Sequence, residues 1–181
     1  YMEEKMSGAF NLKELYRGTI LREGYPRNSI FFDQEHGRLL KEVLGYQGCQ
    51  LSVYMPTFRG HTDDVEGDTY VEQVRSYLEV IDKGMQDDQI LLLKLHPLVQ
   101  KGLDLDNYRH IRPFPSELDT YDVLNACDVL ITDYSSVMYD FANTGRKIIL
   151  FAYDLEDYMG HRGMYEDIRS YPFPIAVTPE E

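Results

Sequence analysis

The sequence predicts an α/β fold: a Rossmann-like open parallel sheet with helices on both faces. Three observations carry that prediction. Short apolar runs recur at QLSVYM, QILLLKL, DVLIT and KIILFAY, each bounded by turn residues, as strands buried on both faces require. Helical periods lie between them, clearest over residues 69–83, where Val71, Val74, Tyr77, Leu78 and Ile81 share one face. Each apolar run also leads into a loop with polar or cationic residues, and in an open parallel sheet such loops gather at the carboxyl edge.

Taken in order, SGAFNLKELY reads as a short helix and EGYPRNS as a turn, with Pro26 restricting Tyr25 to extended geometry. Residues 1–30 are expected to be a lead-in between domains, and residues 31–181 one domain. Asp33 can cap a helix running to Leu44 and ending at Gly45, with Leu39, Leu40, Val43 and Leu44 apolar. QLSVYM is the first strand, stopped by Pro56. The helix at 69–83 follows, then QILLLKLHP as a strand buried on both faces and YRHIRPF as a shorter one. Residues 119–127 form a short helix opened by Asp119, feeding into the strand DVLIT. SSVMYDFANTG is a helix with Ser135 or Ser136 at its start and Gly145 near its end, and KIILFAY is the next strand. DLEDYMGHRGMYEDI is polar and aromatic, and the Pro-rich YPFP stretch closes the chain. The reading thus contains about five strands.

Composition narrows the function. Among 181 residues, 31 acidic side chains outnumber 18 basic ones, a formal charge of −13. That balance argues against a nucleic-acid partner, which needs a basic face. It leaves room for a small phosphorylated ligand held by a few local donors. No window approaches the ~18 consecutive apolar residues of a membrane span. The segment YMEEKMSGAF has neither the basic start nor the apolar run of a secretory signal. Cys49 and Cys127 lack metal-ligand spacing, and Cys127, inside VLNACDVL, reads as a small core residue. A reducing, cytoplasmic setting is the expectation.

The chemistry concentrates at strand ends. A buried strand ends at Thr132, and Asp133, Tyr134, Ser135 and Ser136 form the turn into a helix. The first turn of a helix leaves N–H groups open under a partial positive charge, so two serines there suit a diphosphate. Local sequence by itself favours Ser135 as a plain cap, because serine prefers that position anyway. His96 follows a buried strand and precedes Pro97, so it falls at the carboxyl edge. There it can act as acid or base or donate to a phosphate, or it can serve as a structural histidine satisfying loop carbonyls. His36, His61 and His110 carry no such positional argument and are expected to be solvated. Arg59, in MPTFRG, and Arg162, in HRGMY, can grip phosphate oxygens in bidentate fashion, or be ordinary surface charges. Asp140 can face the core edge or solvent. Asp154 can contact a hydroxyl or cap the next helix. No glycine-rich P-loop, GxGxxG or metal constellation is present, so no metal or other cofactor is predicted.

The blocks YMPTFRG, LKLHP, ACDVLITDYSSVMYDFANTGRKIILFAYDLEDY and HRGMY, in that order, resemble the CDP-glycerol glycerophosphotransferase family of teichoic-acid synthesis. GYPRNSIFF is similar to that family's entry into its C-terminal domain. The resemblance implies the C-terminal, donor-binding half of a glycosyltransferase-B architecture, with an N-terminal acceptor domain absent from this chain. It implies transfer of glycerol phosphate from CDP-glycerol, or a related CDP-polyol, to a lipid-linked glycerol-phosphate acceptor. CDP-ribitol, a nucleotide sugar, or non-catalytic nucleotide binding are the alternatives. By the same resemblance His96 and Arg162 are the catalytic candidates beside the donor diphosphate. Ser135 and Ser136 hold the diphosphate, and Thr132, Asp133, Arg59 and Asp119 complete the expected nucleotide and phosphate contacts. Family members work at the inner face of the membrane, so peripheral attachment through regions outside this chain is expected. The departure is the lack of tryptophan and of a His-Gly-Thr motif, which the family carries in its N-terminal half.

Overall fold

The computed structural model describes residues 2–21, 23–59, 67–164 and 166–181. His61, Gly60 of MPTFRG and Tyr165 of HRGMY lie outside them. Among the described residues, six strands build one sheet: β1 (Gln50–Tyr54), β2 (Gln89–Leu93), β3 (Ile111–Pro113), β4 (Val129–Thr132), β5 (Lys147–Phe151) and β6 (Ile175–Ala176). Every pairing is parallel, and the order across the sheet is β3-β2-β1-β4-β5-β6. The chain therefore winds outward through β1, β2 and β3, then returns to lay β4 on the other side of β1. The switch point lies between β1 and β4, where a parallel α/β sheet opens its ligand crevice.

Alternation along the strands builds a core on each face. Leu51, Val53, Leu92, Leu130, Ile148 and Leu150 point to one side. Against them lie α3 (Gln34–Val43), α6 (Thr120–Ala126), α7 (Val137–Phe141) and α8 (Leu155–His161), with Val123, Leu124, Met138, Phe141 and Leu155 in that core. Tyr54, Leu91, Leu93, Ile111 and Phe151 point to the other side. There α4 (Gly67–Gly84) brings Val74 and Leu78, and α5 (Pro97–Gln100) brings Val99. The apolar run QILLL is buried on both faces for this reason: Leu91 serves one core and Leu92 the other.

Helix boundaries follow local chemistry. Asp33 accepts from the His36 amide at 2.9 Å and caps α3. Asp119 accepts from the amides of Tyr121 (2.8 Å) and Asp122 (3.4 Å) and caps α6. Gly145, at φ 67°, closes the 3-10 turn Ala142–Thr144 that follows α7. Cys127 is fully buried in the first core, and burial pushes its thiol up to about 12.

The structure departs from the sequence reading in five places. The lead-in helix is split into α1 (Met2–Ala9) and α2 (Leu12–Leu15) by Asn11, which takes the left-handed conformation at φ 50°. The expected turn at EGYPRNS is a 3-10 helix, Pro26–Phe32. A sixth strand, β6, follows Pro174, whose carbonyl accepts from the Leu150 amide. The stretch read only as polar and aromatic contains α8. His110, expected in solvent, is buried, and its Nδ1 lies 3.1 Å from the Gln89 carbonyl at the start of β2. Among the described residues, no helix is long and apolar enough to cross a membrane.

Candidate functional site

Parallel pairing delivers the ends of β1, β2, β4 and β5 to one edge, and the candidate residues sit in the loops that leave it. At the switch point itself the loop after β1 is tied to the turn after β4. Asp133, 1 % exposed, accepts from the Thr57 amide (2.9 Å to each oxygen), the Thr57 hydroxyl (2.7 Å) and the Tyr134 amide (2.6 Å). Its second oxygen pairs with Arg59 Nη2 at 2.7 Å. A carboxylate buried this deeply is tolerated only because each oxygen has donors.

Arg59 also reaches the loop after β5. Its Nε donates to Asp154 Oδ2 at 2.6 Å and its Nη2 to Asp154 Oδ1 at 3.2 Å, while Nη1 donates to the Thr57 carbonyl at 2.8 Å. Burial alone would lower its pKa, but the hydrogen bond it donates to Asp154 and the charges of Asp133 and Asp154 raise it overall. The guanidinium lies 5.0 Å from the Tyr134 ring centroid and 5.3 Å from that of Tyr158. Tyr134 stacks on Tyr158 at 3.7 Å and donates its hydroxyl to Asp154 at 2.9 Å. Burial first, then the bond to Asp154, pushes the Tyr134 phenol up.

This arrangement assigns the candidates different places. Arg59, expected to grip phosphate, is clamped between two carboxylates and carries no surplus charge toward a ligand. Thr132 is fully buried, with its hydroxyl donating to the Met55 carbonyl at 2.6 Å, and so lies behind the site. Asp133 faces the β1 loop. Asp119 is engaged as the α6 cap. Ser135 is half-buried and Ser136 exposed, at the entry to α7. Neither closes a firm cap: the Ser135 hydroxyl stands 3.5 Å from the Val137 amide, and Ser136 makes no side-chain cap bond.

His96 and Arg162 stand at the rim, and both side chains are exposed. The His96 carbonyl accepts from Val99 and Gln100 as α5 begins. Its ring stacks on Phe58 with centroids 4.1 Å apart and planes 26° from parallel. Arg162 follows α8 and precedes Gly163, which turns at φ 68°. Its guanidinium lies 5.8 Å from the Tyr158 centroid, and Nη1 donates to the Phe58 carbonyl at 3.4 Å. Among the described residues no carboxylate pairs with Arg162. A cleft of about 410 Å³ adjoins Asp154, lined by Tyr153, Glu156, Asp157, Arg169 and Ile175 among others.

Three features were not foreseen. Asp154 and Tyr134 close the Arg59 cluster, and Tyr158 supplies a shared stacking face. Asp140, left open between core edge and solvent, is buried and accepts from Arg27 (2.8 Å), Asn28 (2.9 Å) and Tyr121 (2.7 Å), which docks the Pro26–Phe32 segment on α6 and α7. Burial and the bond to Asp140 push the Tyr121 phenol up to about 12. No group of three or more His, Cys, Asp or Glu side chains among the described residues is arranged to hold a metal ion.

The family model of the CDP-glycerol:poly(glycerophosphate) glycerophosphotransferases matches residues 1–181. A teichoic acid poly(glycerol phosphate) polymerase of Bacillus spizizenii is 31% identical over 188 residues, covering 100% of this chain and 46% of the relative. A teichoic acid poly(ribitol-phosphate) polymerase of the same organism is 30% identical, covering 90% of this chain and 27% of the relative. A solved structure of the wall teichoic acid polymerase TagF, from a crystal soaked with CDPG, superposes with a TM-score of 0.71 at 32% identity. That match covers 88% of this chain and 40% of the TagF chain. The chain thus spans less than half the length of these relatives.

Proposed function

The chain belongs to the CDP-glycerol:poly(glycerophosphate) glycerophosphotransferase family, and on that footing we propose that it forms the donor-binding half of a glycosyltransferase-B enzyme of teichoic-acid synthesis. Residues 31–181 bind CDP-glycerol, and residues 1–30 lead in from the acceptor side. One observation carries this reading: His96 and Arg162, remote in sequence, both rest on Phe58 at the rim of the switch-point crevice, with exposed side chains.

In the reaction, an acceptor hydroxyl oxygen attacks the β-phosphorus of CDP-glycerol. The new O–P bond forms as the bridging P–O bond breaks, the acceptor's hydroxyl proton passes to solvent, and CMP leaves. Negative charge grows on the CMP phosphate. Arg162 meets it with a charge-assisted pair, His96 donates to it, and Ser135 and Ser136 with the first α7 amides hold the non-bridging oxygens. The Arg59–Asp133–Asp154 cluster contributes rigidity beneath them. The lipid-linked glycerol-phosphate acceptor belongs to the portion of the longer relatives that this chain does not span. Attachment to the cytoplasmic face of the membrane is assigned to the same portion.

A ribitol donor is the second reading, favoured by the near-equal similarity to ribitol-phosphate polymerases. Calorimetric titration of the chain with CDP-glycerol, CDP-ribitol, CDP, UDP and CMP decides between them. Saturable binding of CDP-glycerol ahead of UDP is expected. Preference for CDP-ribitol selects the second reading, preference for UDP indicates sugar transfer, and no cytidine-nucleotide binding defeats the donor-site assignment.

A further inference from the structure

The contacts of Phe58 exceed what core packing needs. One part of its ring packs against the second core, the cluster that holds Tyr54, Leu93, Leu95 and Val99. His96 stacks on the ring at 4.1 Å. Its carbonyl oxygen receives Arg162 at 3.4 Å. The residues on either side are immobilised: Thr57 donates three times to buried Asp133, and Arg59 is clamped by Asp133 and Asp154. Phe58 is therefore held at both ends of a tripeptide anchored to β4 and β5, while its own side chain and carbonyl meet two exposed groups from other loops.

We infer that Phe58 is a positioning residue, which sets the imidazole of His96 and the guanidinium of Arg162 at a common spacing for a nucleoside diphosphate. The inference rests on the donor-site reading of those two residues. The reasoning is entropic and geometric. An exposed histidine at the end of a strand samples several rotamers, and each rotamer lost on binding weakens the complex. A near-parallel aromatic stack fixes the ring plane in advance. Arg162 has the same difficulty to a greater degree, since its side chain is long. Stacking on Tyr158 and donation to a fixed carbonyl limit it. The ring and the carbonyl of one residue thus hold the two partners, and neither Phe58 group needs to touch the ligand.

The test uses the whole chain with CDP-glycerol as the probe, and reads both binding and the His96 ring. Phe58→Leu retains an apolar side chain in the core while removing the aromatic face, and Phe58→Trp restores a face. The imidazole protons of His96, assigned by their loss in His96→Ala, are expected to resonate upfield in the wild type because the ring stacks on Phe58. Phe58→Leu is expected to move them downfield and to weaken CDP-glycerol about tenfold. Phe58→Trp is expected to recover most of the affinity. In a His96→Ala background Phe58→Leu is expected to add little further loss. The inference alone is overturned if Phe58→Leu binds like the wild type while His96→Ala does not. If His96→Ala and Arg162→Ala both bind normally, the donor-site reading fails and this inference fails with it. Should Phe58→Leu unfold the chain, Phe58→Met, whose unbranched side chain adapts to the space the ring leaves, is read in the same way.

Discussion

The centre and the rim of the crevice treat charge in opposite ways. At the centre, Arg59, Asp133 and Asp154 lie largely out of water and satisfy one another, with Tyr134 and Thr57 filling the remaining valences. At the rim, His96 and Arg162 are exposed; His96 stacks on Phe58, and Arg162 meets the Tyr158 ring and the Phe58 carbonyl. Two arginines with four strands between them, both able by residue type to pair with phosphate, therefore stand in different surroundings. A guanidinium already paired with two carboxylates would have to leave one of them, buried and uncompensated, to reach a ligand. Arg162 has no such obligation among the described residues. The difference bears on how a chain of charge −13 could receive an anion: Arg59 offsets one of the two carboxylates at the centre, and the remaining donors project from the rim.

If that division is right, its largest consequence is in stability. Asp133→Ala removes the acceptor for two amides, a hydroxyl and a guanidinium, and leaves Arg59 with a buried charge short of one partner. Loss of about 3–5 kcal/mol is expected from urea unfolding. A loss below about 0.5 kcal/mol would mean that the cluster is surface chemistry after all, and the contrast with the rim would collapse.

Alkaline pH probes the same buried side. Burial holds the Cys127 thiol up at about 12, against ~8.5 in an unfolded chain. Tyr54, Tyr134 and Tyr153 are shifted in the same direction, chiefly by burial. Between the unfolded and folded values the unfolded chain releases protons that the folded chain keeps. Stability is therefore complete below the unfolded pKa and falls as pH rises through the window, by up to about 1.4 kcal/mol per pH unit for the thiol alone. Urea midpoints measured from neutral pH into that window should fall, less steeply in Cys127→Ala. A flat profile would contradict the burial assigned to these groups.

The two regions also differ in how well the sequence disclosed them. The strands β1, β2, β4 and β5 were legible because burial on both faces leaves continuous apolar runs, and α4 because its stripe spans several turns. β6 was not, since two residues beside a proline carry no period. α8 was hidden because Leu155 is its only fully buried position. His96 and Arg162 could be nominated from a strand end and a glycine-flanked loop. The centre could not be assembled that way: Thr57 and Asp133 are 76 residues apart and Arg59 and Asp154 are 95 apart. Only the parallel crossovers bring them together, and so residue type alone points Arg59 and Thr132 toward a ligand while the fold engages them internally. The residue type was informative about capacity and silent about partners.

The rim should show the smallest effect on stability and the clearest effect on the ligand. Arg162→Ala is expected to leave the urea unfolding free energy within about 0.5 kcal/mol of the wild type. The most direct measurement is calorimetric titration of CDP-glycerol into the wild type and Arg162→Ala, with both unfolded in urea alongside. The account predicts saturable binding to the wild type and about ten- to hundredfold weaker binding to the variant, at an unchanged urea midpoint. Equal affinity for the two proteins, or no saturable binding of CDP-glycerol to either, would contradict it.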